Sequence, residues 1–209
     1  MALSLKVINK PVLWIVVVVN VVILYATIQT DVIFGGNWKA LLDQWQKAIP
    51  AGGGLIIVGI LNAIVPANAK ARIVYFRWNN ALPGSEAFSR HGKNDPRVDI
   101  VALEQVHGPF PKDGEGQNEL WYALYKNVKD DPSVMQVHRE FLLTRDYTCL
   151  SLMMLVLLGT IGLVQIPSAQ TGLLYLILLA LQFTLVNLAA RNHGRRFVTT
   201  VLALTASKK

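Results

Sequence analysis

"DPSVMQVHREFLLTRDYTCLSLMMLVLLGTIGLVQI" runs from Asp131 to Ile166. Its first half is amphipathic, with Val134, Val137, Phe141 and Leu142 on one stripe. Its second half, from Tyr147 to Ile166, carries no charge. Asp131 followed by Pro132 is a helix-start signal, because the carboxylate caps and proline lacks the N–H that a first turn leaves unpaired. No proline or glycine lies between Pro132 and Gly159. The stretch therefore predicts one long helix that leaves a polar domain and enters a bilayer.

Three more uncharged runs flank it. Val12–Ile28 has 17 residues, about 26 Å as a helix, near the minimum for a span. It is longer than a signal-peptide core and ends in "TIQTD", which favours a retained anchor. Ala51–Ala67 is the second span, with Pro66 kinking it or marking its exit. Thr171–Ala190 is the last, joined to Tyr147–Ile166 by the tight turn "PSAQ". The fold expected is all-α: an integral membrane four-helix bundle with a small helical cytoplasmic domain between spans 2 and 3. The boundaries expected are a hairpin over 1–67, the cytoplasmic domain over 68–146, a second hairpin over 147–190 and a basic tail over 191–209.

Composition agrees with membrane residence. Apolar residues make up 53% and charged residues 16% of the 209, and mean hydropathy is +0.39, whereas soluble domains carry roughly 25% charge. Eighteen of the 20 Lys and Arg fall in the N-terminal tail, the 68–146 segment and the C-terminal tail. Only Lys39 and Lys47 fall between the first two spans. This asymmetry places both termini and the long segment on the cytoplasmic side of the membrane. Between the first two spans, "NWKALLDQWQKAI" (37–49) sets Trp38, Leu41, Leu42, Trp45 and Ile49 at helical spacing, as an amphipathic helix in the outer interface would.

The 68–146 segment has eleven basic and eleven acidic residues. A balanced domain argues against direct nucleic-acid binding. "DPRVDIVALEQV" predicts a helix capped by Asp95, with Val98, Val101, Ala102 and Val106 on its apolar face. "GQNELWYALYKNV" predicts another, with Leu120, Trp121, Leu124 and Val128 inward. "RWNNALPGSEAF" (77–88) reads as a corner, with Leu82-Pro83-Gly84-Ser85 in a type II turn.

No catalytic, cofactor or metal constellation stands out. His91, His107, His138 and His193 have no partner at ligand spacing, and no phosphate-binding or nucleophile-elbow motif occurs. Cys149 is alone and reads as a small apolar filler. The expectation is a non-enzymatic protein without cofactor. Candidate coupling and partner residues are Arg77, Trp78, Trp121, Tyr122, Arg139 and Arg145. Arg139, Glu140, Arg145 and Asp146 also form a charged collar at the bilayer entry. Asn20 and Gln182 are polar residues within spans that bond between helices or line a pore in an oligomer. Gly59, Ala63 and Ala67 recur at four-residue spacing and let helices approach closely. Arg191, Arg195 and Arg196 are candidates for lipid headgroups, with "FVTTVLAL" too short to span and lying at the inner surface.

The spaced set "RWNNALPGSEAF", "DPRVD", "QNELWYALYK" and "HREFLLTRDY" resembles a group of small bacterial four-span membrane proteins to which no activity is attached. The layout is more loosely similar to membrane components of bacterial anti-phage defence systems. That resemblance implies an oligomeric membrane effector or sensor that couples a cytoplasmic signal or protein partner to the bilayer. The alternatives are a non-catalytic anchor subunit of a larger complex and a small-solute channel or carrier. Membrane lipids and further copies of the chain are the other expected partners.

Overall fold

A computed structural model describes residues 5–36, 39 and 49–207. All of the outer amphipathic helix expected over 37–49, except Lys39 and Ile49, lies outside the described residues. The described residues are all-helical, without strands. The helices are α1 (Leu5–Ile28), α2 (Thr30–Phe34), α3 (Ile49–Ile64), α4 (Ala67–Tyr75), α5 (Ile100–His107), α6 (Gly114–Val128), α7 (Pro132–Gln165) and α8 (Ala169–Ser207). A 3-10 turn (Pro83–Glu86) and a π-helical turn (Ala87–His91) lie between α4 and α5.

Among the described residues, α1, α7 and α8 are long and apolar enough to cross a membrane. The stretch expected as the second span is shorter. Its helix α3 has 16 residues, about 24 Å, and stops at Ile64. The last ladder bond runs from Val65 N–H to the Leu61 carbonyl. Pro66 follows, and the helix restarts at Ala67. Ala67 therefore belongs to a different helix from Gly59 and Ala63, and the expected small-residue face is cut there.

The chain divides into two compact units. The first comprises Met1–Pro66 and Asp146–Val186. Its interior joins Val17, Val21 and Leu24 of α1 to Leu150, Met154 and Leu158 of α7 and Tyr175 and Leu179 of α8. Close approach depends on glycine. A Cβ on Gly59 would sit 2.8 Å from the Trp14 ring, one on Gly159 2.9 Å from Leu176, and one on Gly162 2.8 Å from Tyr175. The α7–α8 pairs run in opposite directions along the two helices, so the pair is the antiparallel hairpin expected. Gln182 Nε2 donates to the Tyr147 hydroxyl at 2.8 Å across that hairpin. Asn20 is buried but donates to the Val16 carbonyl of its own helix at 2.8 Å.

The second unit comprises Ala67–Arg145 and Asn187–Lys209. Its core is aromatic. Phe88 stacks on Phe110 at 4.3 Å. Phe197 stacks on His138 at 4.6 Å and meets Trp121 edge-on at 5.1 Å. Residues 191–207 do not form a separate surface tail. They continue α8, and Phe197, Val198, Val201 and Leu202 are buried in this core. The reason is their spacing at i, i+1, i+4 and i+5, which gives one apolar helix face that packs on α6 and α7 rather than on lipid.

Helix starts follow capping chemistry with one displacement. Asp131 accepts from Ser133 N–H at 2.9 Å, and α7 begins at Pro132 as expected. Asp113 caps α6. For α5 the cap is Asp99, accepting from Ala102 N–H at 2.9 Å, and not Asp95. Asp95 instead holds Arg97 through two guanidinium bonds, at 2.7 and 3.0 Å. The later start rotates the buried face to Ala102 and Leu103, leaving Val101 and Val106 exposed.

Candidate functional site

The corner between α4 and α6 is built by three interlocking devices. First, α4 ends at Tyr75, and its final carbonyls need partners. Asn187 Nδ2 donates to the Val74 and Ile73 carbonyls at 3.1 and 3.3 Å, and Arg191 Nε donates to Val74 at 2.7 Å. A cation at a helix C-terminus is also favoured by the helix dipole. Arg191 lies 4.9 Å over the ring of Phe76, which has φ 52°. Arg191 thus acts on protein groups here; Arg195 and Arg196 are exposed, and Arg196 reaches Glu140 at 3.6 Å.

Second, the turn at Leu82–Ser85 is 3-10, closed by Ser85 N–H to the Leu82 carbonyl at 3.0 Å. Type II geometry, expected from the Pro-Gly pair, does not form. The positive-φ residues at the corner are Phe76 and Asn80 (φ 50°). Gly84 is required for space: a Cβ there would lie 2.6 Å from Asn118 Oδ1 and 2.7 Å from the Trp121 ring. Third, Gln117, almost wholly buried, accepts from Phe88 and Ser89 N–H groups at 3.2 and 3.0 Å. It staples the corner to α6.

Charge at the corner is concentrated on Glu86. Arg77 meets it at 2.8 Å and Arg90 at 3.3 Å. Burial pushes the Glu86 carboxyl up, but the Arg77 hydrogen bond and charge, with Arg90 and His91, outweigh burial and hold it below the usual range. His91 is pushed down from 6.5 to about 4, chiefly by burial, with Glu86 opposing. Arg97 holds the Asp95 carboxyl well below the usual carboxylate range. Burial raises Tyr75 well above its ordinary value, and its hydroxyl has no hydrogen-bond partner.

These devices border an open groove of about 490 Å³. One wall is the loop Trp78–Leu82 with Ser85, one is Asn68 and Arg72 of α4, and one is Glu115, Asn118 and Glu119 of α6. Trp78 is 80% exposed. A cavity of this size suits a small ligand held by a few polar groups.

The residues expected to act in coupling fall in several places. Trp78 borders the groove, and Arg77 stands beside it in the Glu86 pair. Trp121 is core, its Nε1 donating to the Val198 carbonyl at 3.4 Å. Tyr122 is half exposed beneath the Lys126 ammonium, 4.8 Å from the ring centroid. Arg139 is exposed, while Arg145 is buried and lies 5.9 Å over the Phe141 ring. Its neighbour Glu140 faces His193 at 3.2 Å and Arg196 at 3.6 Å. The groove residues Asn68, Arg72, Glu115, Asn118 and Glu119 were not legible as a site. The one sequence signal was the spacing on α6, which turns 115, 118, 119 and 122 away from the buried set 117, 121, 124 and 128.

Among the described residues, no group of His, Cys, Asp and Glu is arranged to hold a metal ion. The chain matches no protein-family model, no curated protein and no solved structure.

Proposed function

We propose that the chain is a four-span bacterial inner-membrane protein with both termini and the second unit in the cytoplasm. In this reading it is a non-enzymatic, oligomeric sensor or effector. The corner groove is the sensing site, and its state passes into the bilayer along α7 and α8. The observation that carries it is continuity. α7 and α8 are unbroken helices of 34 and 39 residues, and each contributes to both units. Neither helix holds a proline beyond Pro132 at the start of α7, and proline is a main cause of sharp bends, so in this reading movement at one end is felt at the other.

The Lys and Arg asymmetry supports the orientation. Asn20 and Gln182 already bond within one copy, which favours a packing role over pore lining. An anti-phage setting rests on the layout resemblance, and a cytoplasmic protein partner is part of that setting. The anchor alternative draws on Val101 and Val106, exposed at 61% and 68%, which offer a docking face to such a partner.

The test compares wild type with a variant carrying two glycines inserted between Arg145 and Asp146. Membrane potential and dye entry are read in bacteria with the neighbouring gene product and phage challenge. Depolarisation by wild type and silence of the inserted variant is the expected result. Equal responses of the two would sink the coupling idea, and silence of both would leave the anchor reading. Orientation is read separately, by labelling Ser89→Cys in a Cys149→Ser background from either side of the membrane.

A further inference from the structure

The polar groups of the corner groove lack partners, unlike those around it. Arg77 and Arg90 are paired with Glu86, and Arg97 with Asp95. Among the described residues, the side chains of Arg72, Glu115, Glu119, Asn79 and Asn118 make no hydrogen bond or ion pair. The guanidinium and the two carboxylates share one groove without meeting. Glu115 and Glu119 also stand one turn apart on α6, an arrangement that costs helix stability when no cation covers it.

A ligand that satisfies this lining must carry both signs of charge. A phosphate would face two carboxylates with one guanidinium to hold it. A simple cation would leave Arg72 opposed by like charge. A small zwitterion answers both, and the carboxamides of Asn79 and Asn118 offer paired donors and acceptors to amide groups. The exposed Trp78 ring supplies an apolar cover. The groove volume, about 490 Å³, accommodates a molecule of short-peptide size.

We propose that the groove binds a short peptide zwitterion, with its carboxylate on Arg72, its ammonium on Glu115 and Glu119, and its amide on the asparagine carboxamides. This rests on the reading of the corner as the sensing site and names the ligand class for it. The corner is pre-shaped for the task, since Asn80 packs on Gly114, where a Cβ would come within 2.8 Å.

The test is calorimetric titration of the full chain in nanodiscs with dialanine, N-acetyl-dialanine and dialanine amide. Free dialanine is expected to bind, and each blocked form to bind about tenfold or more weakly, because each loses one charge-assisted contact. Arg72→Gln should weaken dialanine binding and erase its advantage over the amide alone. Glu115→Gln with Glu119→Gln should erase the advantage over the acetylated form alone. These side chains are exposed, so helical circular dichroism should match wild type. Absence of dialanine binding, equal binding of all three peptides, or saturation by adenosine in their place would overturn the proposal. Peptide binding together with an unaffected glycine-insertion variant would remove the coupling reading and leave the ligand assignment standing.

Discussion

In the first unit, large apolar side chains face outward: Ile15 is 62% exposed and Val164 80%. In the second, Phe88, Val134 and Leu202 are almost wholly buried, while most charged side chains face out, Lys70 and Arg145 being buried. On the proposed placement, with the first unit in the bilayer and the second in water, the difference is what each surround demands. In hydrocarbon, outward apolar groups lose nothing, so helices meet through small residues and local polar bonds. In water, association is driven by removing aromatic and aliphatic area from solvent. The two long helices change character between these regimes: α8 presents Leu174, Leu181 and Leu188 outward, then buries Val198, Val201 and Leu202.

The sharpest challenge to this contrast is Phe88→Ala. Deleting a fully buried, stacked ring should cost the second unit about 3–5 kcal/mol. Hydrogen exchange should show protection lost across α5 and α6 and retained in the spans. Equal loss in both units would mean that they do not fold independently.

Gly194→Ala comes next. A Cβ there would overlap the Tyr75 hydroxyl and press on Phe141 at 3.1 Å, an overpacking of about 1–3 kcal/mol. Because the Tyr75 hydroxyl has no partner, Tyr75→Phe should be near neutral alone and should restore much of the Gly194→Ala loss. Denaturant midpoints of the single and double variants measure this.

A pH series separates the units further. His91 is held neutral in the folded state, with its pKa lowered from 6.5 to about 4. The unfolded chain then binds the extra proton, so stability of the second unit should fall as pH drops from about 6.5 to about 4. His91→Asn should flatten that part of the profile, leaving the acid loss due to Glu86 and Asp95. An unchanged slope in the variant would remove His91 from the account.

The smallest effect expected is that of Gln182→Leu, which deletes the bond to Tyr147. Interhelical bonds of this kind contribute about 0.6 kcal/mol in a bilayer. A loss several times larger, read by detergent-induced unfolding, would mean that polar contacts hold the first unit as packing holds the second.

Helix identity was legible wherever one residue's chemistry dictated it. Asp131-Pro132 announced α7, and the uncharged runs announced the apolar helices. Reading failed where two local signals competed. Asp95-Pro96 read as the cap and start of α5, but Arg97 engages Asp95 and the cap is Asp99. Pro83-Gly84 resembled a type II turn, but the glycine answers to Asn118 and Trp121, which are distant in sequence.

The sequence by itself determined an all-helical chain, helices able to span a membrane, and a long helix shared by apolar and polar regions. Hydropathy and capping are local properties, and they act within a few residues. Only the tertiary structure decided that the last apolar stretch closes a core, that Arg191 caps α4, and that Arg72 shares a groove with Glu115 and Glu119. Those outcomes depend on residues far apart in the chain meeting in space, and no local pattern encodes that meeting.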